Sequence, residues 1–213
     1  MPAPEDASFT RFGPGETAAI GQFQAGDFIL THGNSFFSKL IRFGQGLRFL
    51  GRNRGLARWS HAALIVSEDG EIIEAIGAGV RKGHLSEYIP VEYHLVRIGS
   101  RADYRDRVQM VRFAESCRGL EYGFTTCISI ALSLLTGVKF RFGFDGQYIC
   151  SGLVARALER TDEILPRSPS HTLPADLAKH FEVKADRSLP KGTPPRKRVR
   201  GSARKDGPAG TSS

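Results

Sequence analysis

"SHAALIVSEDGEIIEAIG", residues Ser60 to Gly77, contains two extended runs with a turn between them. "AALIV" is rich in β-forming residues, "SEDG" supplies turn chemistry and "EIIEA" resumes the extended pattern, so the stretch predicts a β-hairpin. His61 opens the first strand directly after the polar loop "LARWS", where an imidazole can emerge at a sheet end into a cleft. Glu74 stands thirteen residues further on. Across a hairpin turned at "EDG" the two would lie at adjacent ends of paired strands. A carboxylate there fixes the tautomer of an imidazole and raises its basicity.

Outward from the hairpin, "GDFILTH" (Gly26 to His32) and "VEYHLVRI" (Val91 to Ile98) also read as strands. In "ADYRDRVQMVRFAESCRG", Tyr104, Val108, Val111 and Ala114 recur at helical spacing, and Gly119 offers a stop. Two more helices are expected around residues 127–136 and 150–160. Before the hairpin, Asn34 or Ser35 can cap a helix that buries Phe37, Leu40 and Ile41 while Lys39 and Arg42 face out. With no internal repeat, this mixture of strands and helices predicts one α+β domain. The domain is expected over 26–183, between an N-terminal extension (1–25) and a basic disordered tail (184–213).

The totals agree with one globular domain. A chain of 213 residues, 40% hydrophobic and 24% charged, is neither a disordered chain nor a membrane bundle. The apolar run "CISIALSLLTGV" (Cys127 to Val138) is too short to cross a bilayer. No secretory signal opens the chain, so a cytoplasmic location is expected unless delivery follows a non-signal route. Of the net charge of +8, the tail from Lys184 holds nine basic and two acidic residues, hence +7. Such a tail is either a solvated extension or an electrostatic tether to nucleic acid or anionic surfaces; no specific nucleic-acid partner is expected. From Phe28 to Ser67 there are six basic residues and no acid. That run is either a solvated face or a surface for an anionic substrate or lipid headgroup.

Three cysteines without close paired spacing point to reduced thiols; no metal or other cofactor is expected. Cys117 and Cys127 have plain structural surroundings. Cys150 differs. In "QYICSGLVARAL" (Gln147 to Leu158), Cys150, Leu153, Val154, Ala157 and Leu158 form one buried-facing stripe, and the turn-forming "FGFDGQY" ahead starts the helix near the cysteine. A thiol at a helix N-terminus meets unpaired amide N–H groups and the positive end of the dipole, which favour the thiolate. The spacing alone leaves open a small hydrophobe in a core or a nucleophile served by His61.

The segment "CSGLV" (Cys150 to Val154) resembles the nucleophile motif of the NlpC-type cysteine amidases and peptidases, which have a papain-like fold. Here "GDFIL", "HAALIV" and "IIEA" precede the cysteine helix, an order that resembles the circularly permuted YiiX-like branch with glutamate at the third position. "SFFSKLIRF", "RGLEYGF" (Arg118 to Phe124) and "TLPADL" (Thr172 to Leu177) are similar to further segments of that branch, so the resemblance spans roughly Gly26 to Leu177. Two positions depart from the pattern: glycine follows Tyr122 where aspartate is common, and Ile149 precedes the cysteine.

The resemblance implies a small antiparallel sheet, curved towards a barrel, with the cysteine helix packed across it; it also implies Cys150 as nucleophile, His61 as general base and then acid, and Glu74 as its orienter, with Tyr148 and Tyr122 lining a substrate site. The expected reaction is hydrolysis of a peptide or peptidoglycan-type amide through a thioester. A related alternative is a lipid acyl hydrolase or acyltransferase of the lecithin–retinol-acyltransferase-like type, which the basic, Phe-containing stretch Lys39 to Arg58 would suit. A third is a catalytically silent binding module that keeps the fold. The expected ligands are accordingly a peptide, a peptidoglycan fragment or a lipid.

Overall fold

The computed structural model describes residues 7–183 except 33–38, 40, 41, 44, 47, 48, 50, 78, 121–149, 162 and 164. Tyr122, Tyr148, the cap at Asn34 or Ser35, the helix around 127–136 and the basic tail lie outside the described residues.

The described chain is α+β, with six antiparallel strands in one curved sheet and three α-helices. The strands are β1 (Ser8–Phe12), β2 (Phe28–Thr31), β3 (His61–Ile65), β4 (Glu71–Ile76), β5 (Gly79–His84) and β6 (Tyr93–Arg97). Their spatial order is β1-β6-β2-β3-β4-β5. The expected hairpin is β3–β4, with Leu64 opposite Ile73 and Ile65 opposite Ile72. Its turn closes where Ser67 Oγ accepts from the Glu71 amide at 3.1 Å.

Two features of the sheet lay beyond the sequence reading. The segment before residue 26, read as an extension, supplies β1, whose Ser8 to Phe12 pair with Arg97 to Tyr93. The domain boundary at residue 26 is therefore corrected. The run after Gly77, left without an assignment, forms β5 along the full length of β4. Gly79 makes that return. Its φ of +117° suits glycine, and a Cβ there would lie 2.8 Å from the Leu120 carbonyl oxygen.

Both faces of the sheet are covered. Phe28, Leu30, Ala62, Leu64, Ile73, Ala75 and Val96 face the helices, whereas Ile29, Ala63, Ile65, Ile72, Tyr93 and Leu95 pack under Phe12, Ala18, Phe23 and Leu85. Double coverage explains why "FIL" and "AALI" are continuous apolar runs instead of alternating ones.

Helix α1 (Tyr104–Ser116) begins at Asp103, whose Oδ1 accepts from the Asp106 amide at 2.8 Å while Asp106 Oδ2 accepts from the Asp103 amide at 3.1 Å. It buries Met110 and Ala114, and Tyr104, placed by spacing on the apolar stripe, is 81% exposed. The first helical residue lies beyond the edge of the sheet-facing stripe, so its ring has nothing to cover. Helix α2 (Cys150–Leu158) packs across β3 and β4, and α3 (Pro174–His180) lies beside it. Among the described residues no helix is long and apolar enough to cross a membrane.

Candidate active site

The loop entering β3 is tied down before the strand begins. The buried Gln45 side chain donates to the Trp59 carbonyl at 2.6 Å and accepts from the Ala175 amide of α3 at 2.9 Å. Ser60 donates its amide to the Thr31 carbonyl at 3.1 Å, which starts the β2–β3 pairing at Thr31 opposite His61. His61 thus leaves a braced strand end, with its side chain 17% exposed.

Helix α2 places Leu153, Val154, Ala157 and Leu158 in the core under one face of the sheet. Alternation along β3 sends His61 to the other face, with Ala63 and Ile65. The thiol and the imidazole therefore meet around the end of β3, where Cys150 Sγ lies 4.0 Å from the Ser60 carbonyl oxygen. The thiol and the imidazole are near enough for each to shift the other's titration.

Glu74 is 1% exposed and bonds His61 Nε2 through Oε2 at 2.5 Å. The register, extended from Leu64–Ile73, puts Glu74 opposite Ala63. It thus acts from the interior of β4 along a cross-strand diagonal, and the expected placement at adjacent strand ends is corrected. With Nε2 engaged by Glu74, Nδ1 is the nitrogen left for the thiol.

The charges support one another. Burial by itself lowers the His61 pKa, yet the Cys150 thiolate charge and the hydrogen-bonded Glu74 carboxylate outweigh it and hold the imidazole at about 10. Burial pushes the Cys150 thiol up, but the His61 imidazolium and the amide N–H groups of Ala62 and Ser151 bring it below its ordinary value. Burial likewise opposes ionisation of Glu74, and His61, Tyr88 and Arg81 overcome it to hold the carboxyl at about 2. The imidazole raised and the thiol lowered, the two groups push one another towards a thiolate–imidazolium pair backed by a carboxylate.

Sequence reasoning found Cys150, His61 and Glu74, which the fold brings together. It missed two residues around Glu74. Arg81, its cross-strand partner on β5, donates from Nε at 3.0 Å and Nη2 at 2.6 Å to Glu74 Oε1. The Tyr88 hydroxyl donates to Oε2, and its ring stacks on His61 with centroids 6.2 Å apart and planes at 14°. A signal was present in the sequence: Glu74 and Arg81 flank the glycines of "IGAG" at the spacing of a hairpin pair.

Compared with known proteins, the chain matches no family model and no curated protein.

Proposed function

We propose that this protein is a cysteine hydrolase that cleaves an amide bond, of a peptide or peptidoglycan-type substrate, through a thioester acyl-enzyme. The observation that carries this reading is the buried Cys150–His61–Glu74 line, with the thiol lowered and the imidazole raised from their ordinary values. In this reading the chain is a circularly permuted, papain-like member of the NlpC-type superfamily, YiiX-like in its order. The described sheet and cysteine helix are compatible with that architecture.

The Cys150 thiolate attacks the carbonyl carbon, and the amide N–H of Ser151, at the first turn of α2, is placed to stabilise the oxyanion. Collapse of the tetrahedral intermediate breaks the C–N bond while the His61 imidazolium donates its proton to the leaving amine. His61, now neutral, takes a proton from water as the water attacks the thioester, and the thiolate leaves. Glu74 keeps the ring oriented throughout. A silent binding module would have no reason to keep a buried carboxylate on the histidine of a lowered thiol.

A second reading, lipid acyl hydrolysis or transfer, is favoured by one feature: Phe43 is 57% exposed within the acid-free basic stretch. The chemistry at Cys150 is the same, so phospholipid deacylation is assayed beside muropeptide cleavage to tell the substrates apart.

The test of the catalytic assignment is labelling by a thiol-reactive probe at neutral pH. Wild type is expected to label rapidly, Cys150→Ala to lose the label and His61→Ala to slow it by at least tenfold. Labelling that persists without Cys150, or runs equally fast without His61, would refute the assignment.

A further inference from the structure

Glu74 has more partners than an orienting carboxylate needs. Oε1 takes two donors from Arg81, and Oε2 takes His61 Nε2 and the Tyr88 hydroxyl, so all the bonds of a buried carboxylate are filled. The donors are themselves linked. Arg81 Nη2 also donates to Glu87 Oε2 at 2.8 Å, and Glu87 Oε1 accepts from the His84 amide at 3.0 Å. That second bond caps the short 3-10 helix Leu85–Tyr88, whose last residue is Tyr88. A closed circuit results: Glu74 to Arg81, Arg81 to Glu87, Glu87 through the capped turn to Tyr88, and Tyr88 back to Glu74.

We infer that Arg81 and Tyr88 are positioning residues for the proposed hydrolase, acting through Glu74 to set the geometry and proton affinity of the His61–Cys150 pair. This rests on the cysteine-hydrolase reading. Three physical consequences of the circuit support it. With Oε1 taken by two Arg81 donors, swinging the carboxylate would break both bonds, and one lone pair of Oε2 remains for the imidazole. Tyr88 takes the other and covers one face of the ring, so it restrains the imidazole both through the carboxylate and by stacking. Burial and the Glu74 charge push the Tyr88 hydroxyl above its ordinary range, so it stays a donor throughout the working pH.

Among the described residues, the titratable groups facing His61 are Cys150 from α2, Glu74 from β4 and Tyr88 from the 3-10 turn, with Arg81 from β5 on Glu74 and Glu87 on Arg81 behind them. Arg81 and Tyr88 compete in two ways that predict opposite signs. As charge donors alone they draw electron density from Glu74, so removing them would raise the His61 pKa. As positioning groups they hold the His61–Glu74 bond, so removing them would lower it. The closed circuit and the filled lone pairs favour the second.

The experiment is the rate of Cys150 alkylation by iodoacetamide against pH, with the full chain and no substrate. Two steps are expected in wild type, one where the thiolate–imidazolium pair forms and one where the imidazolium loses its proton. In Tyr88→Phe, which keeps the ring stack, and in Arg81→Met, whose side chain is 44% exposed, the upper step is expected to fall by about one pH unit, towards its place in Glu74→Gln. Arg81→Lys should recover part of that shift. Melting temperatures measured alongside separate loss of fold from loss of positioning, and Tyr88→Phe removes only one oxygen atom. An upper step that stays in place or rises in both variants, while wild type keeps its two-step profile, would overturn the positioning role. An ordinary single-step thiol profile in wild type would instead overturn the hydrolase reading on which it rests.

Discussion

At the scale of single residues, burial opposes the charged form in two parts of the fold, and the partners decide whether it prevails. Glu74 is buried with four donors and stays ionised to about pH 2, whereas His94 is buried with too little compensation. His94 lies between Phe9, stacked at 5.8 Å, and Trp59, edge-on at 4.5 Å, and its Nε2 is 3.3 Å from Glu92 Oε1. Burial lowers its pKa to about 4, the Arg58 and Arg11 charges act the same way, and Glu92 opposes them. Between the ordinary value of 6.5 and about 4 the unfolded chain therefore binds a proton that the native chain refuses. Stability must fall as pH drops through that window. Glu74, with its depressed value, costs stability only on further acidification, from its ordinary 4.5 towards about 2. We expect the urea midpoint to fall between pH 6.5 and 4.5, and His94→Phe to flatten that fall. An equal slope in the variant would show that His94 does not carry it. The convergence of Cys150, His61 and Glu74 was legible in the sequence because each stands at a recognisable strand or helix position. Arg81 and Tyr88 were missed: the spacing that pairs Arg81 with Glu74 has meaning only once β5 is recognised as a strand, and a tyrosine before "IP" has no periodic signature.

At the scale of elements, the β3–β4 hairpin was legible because its turn chemistry and β-rich runs are local. The buried face of α1 was only partly so. Four residues at helical spacing include Tyr104, but the helix packs through Met110 and Ala114, and spacing cannot tell which end of a stripe overhangs its neighbour. The difference is measurable by urea denaturation. Met110→Ala should cost about 2–5 kcal/mol, because it opens a fully buried site. Tyr104→Ala should stay within about 0.5 kcal/mol. A reversed order would restore the helix face that spacing alone suggests.

At the scale of the whole molecule, the sheet is closed by its N-terminal strand. β1 covers β6, and Phe12 stacks on Tyr93 at 5.1 Å. The Tyr93 hydroxyl accepts from the Ala18 amide at 2.8 Å, and its ring meets Tyr88 edge-on at 6.5 Å. The N-terminal segment therefore supports the residue that faces His61. Removal of residues 1–12 should lower the melting temperature and promote association through the bared edge of β6, seen as a larger species in size-exclusion chromatography. An unchanged melting temperature and elution volume would return the boundary to residue 26.

The sequence by itself determined the local elements and the three polar positions on them: a hairpin that carries a histidine and a glutamate, and a helix whose first turn carries a cysteine. Those follow from turn chemistry, propensity and periodicity, which act over a few residues. Only the tertiary structure decided that β1 joins the sheet, that β5 brings Arg81 across from Glu74, and that the 3-10 turn sets Tyr88 against both the carboxylate and the imidazole. Those contacts join residues through a shared sheet and a circuit of hydrogen bonds. Their energy depends on burial, which no short stretch of chain specifies before the sheet is assembled.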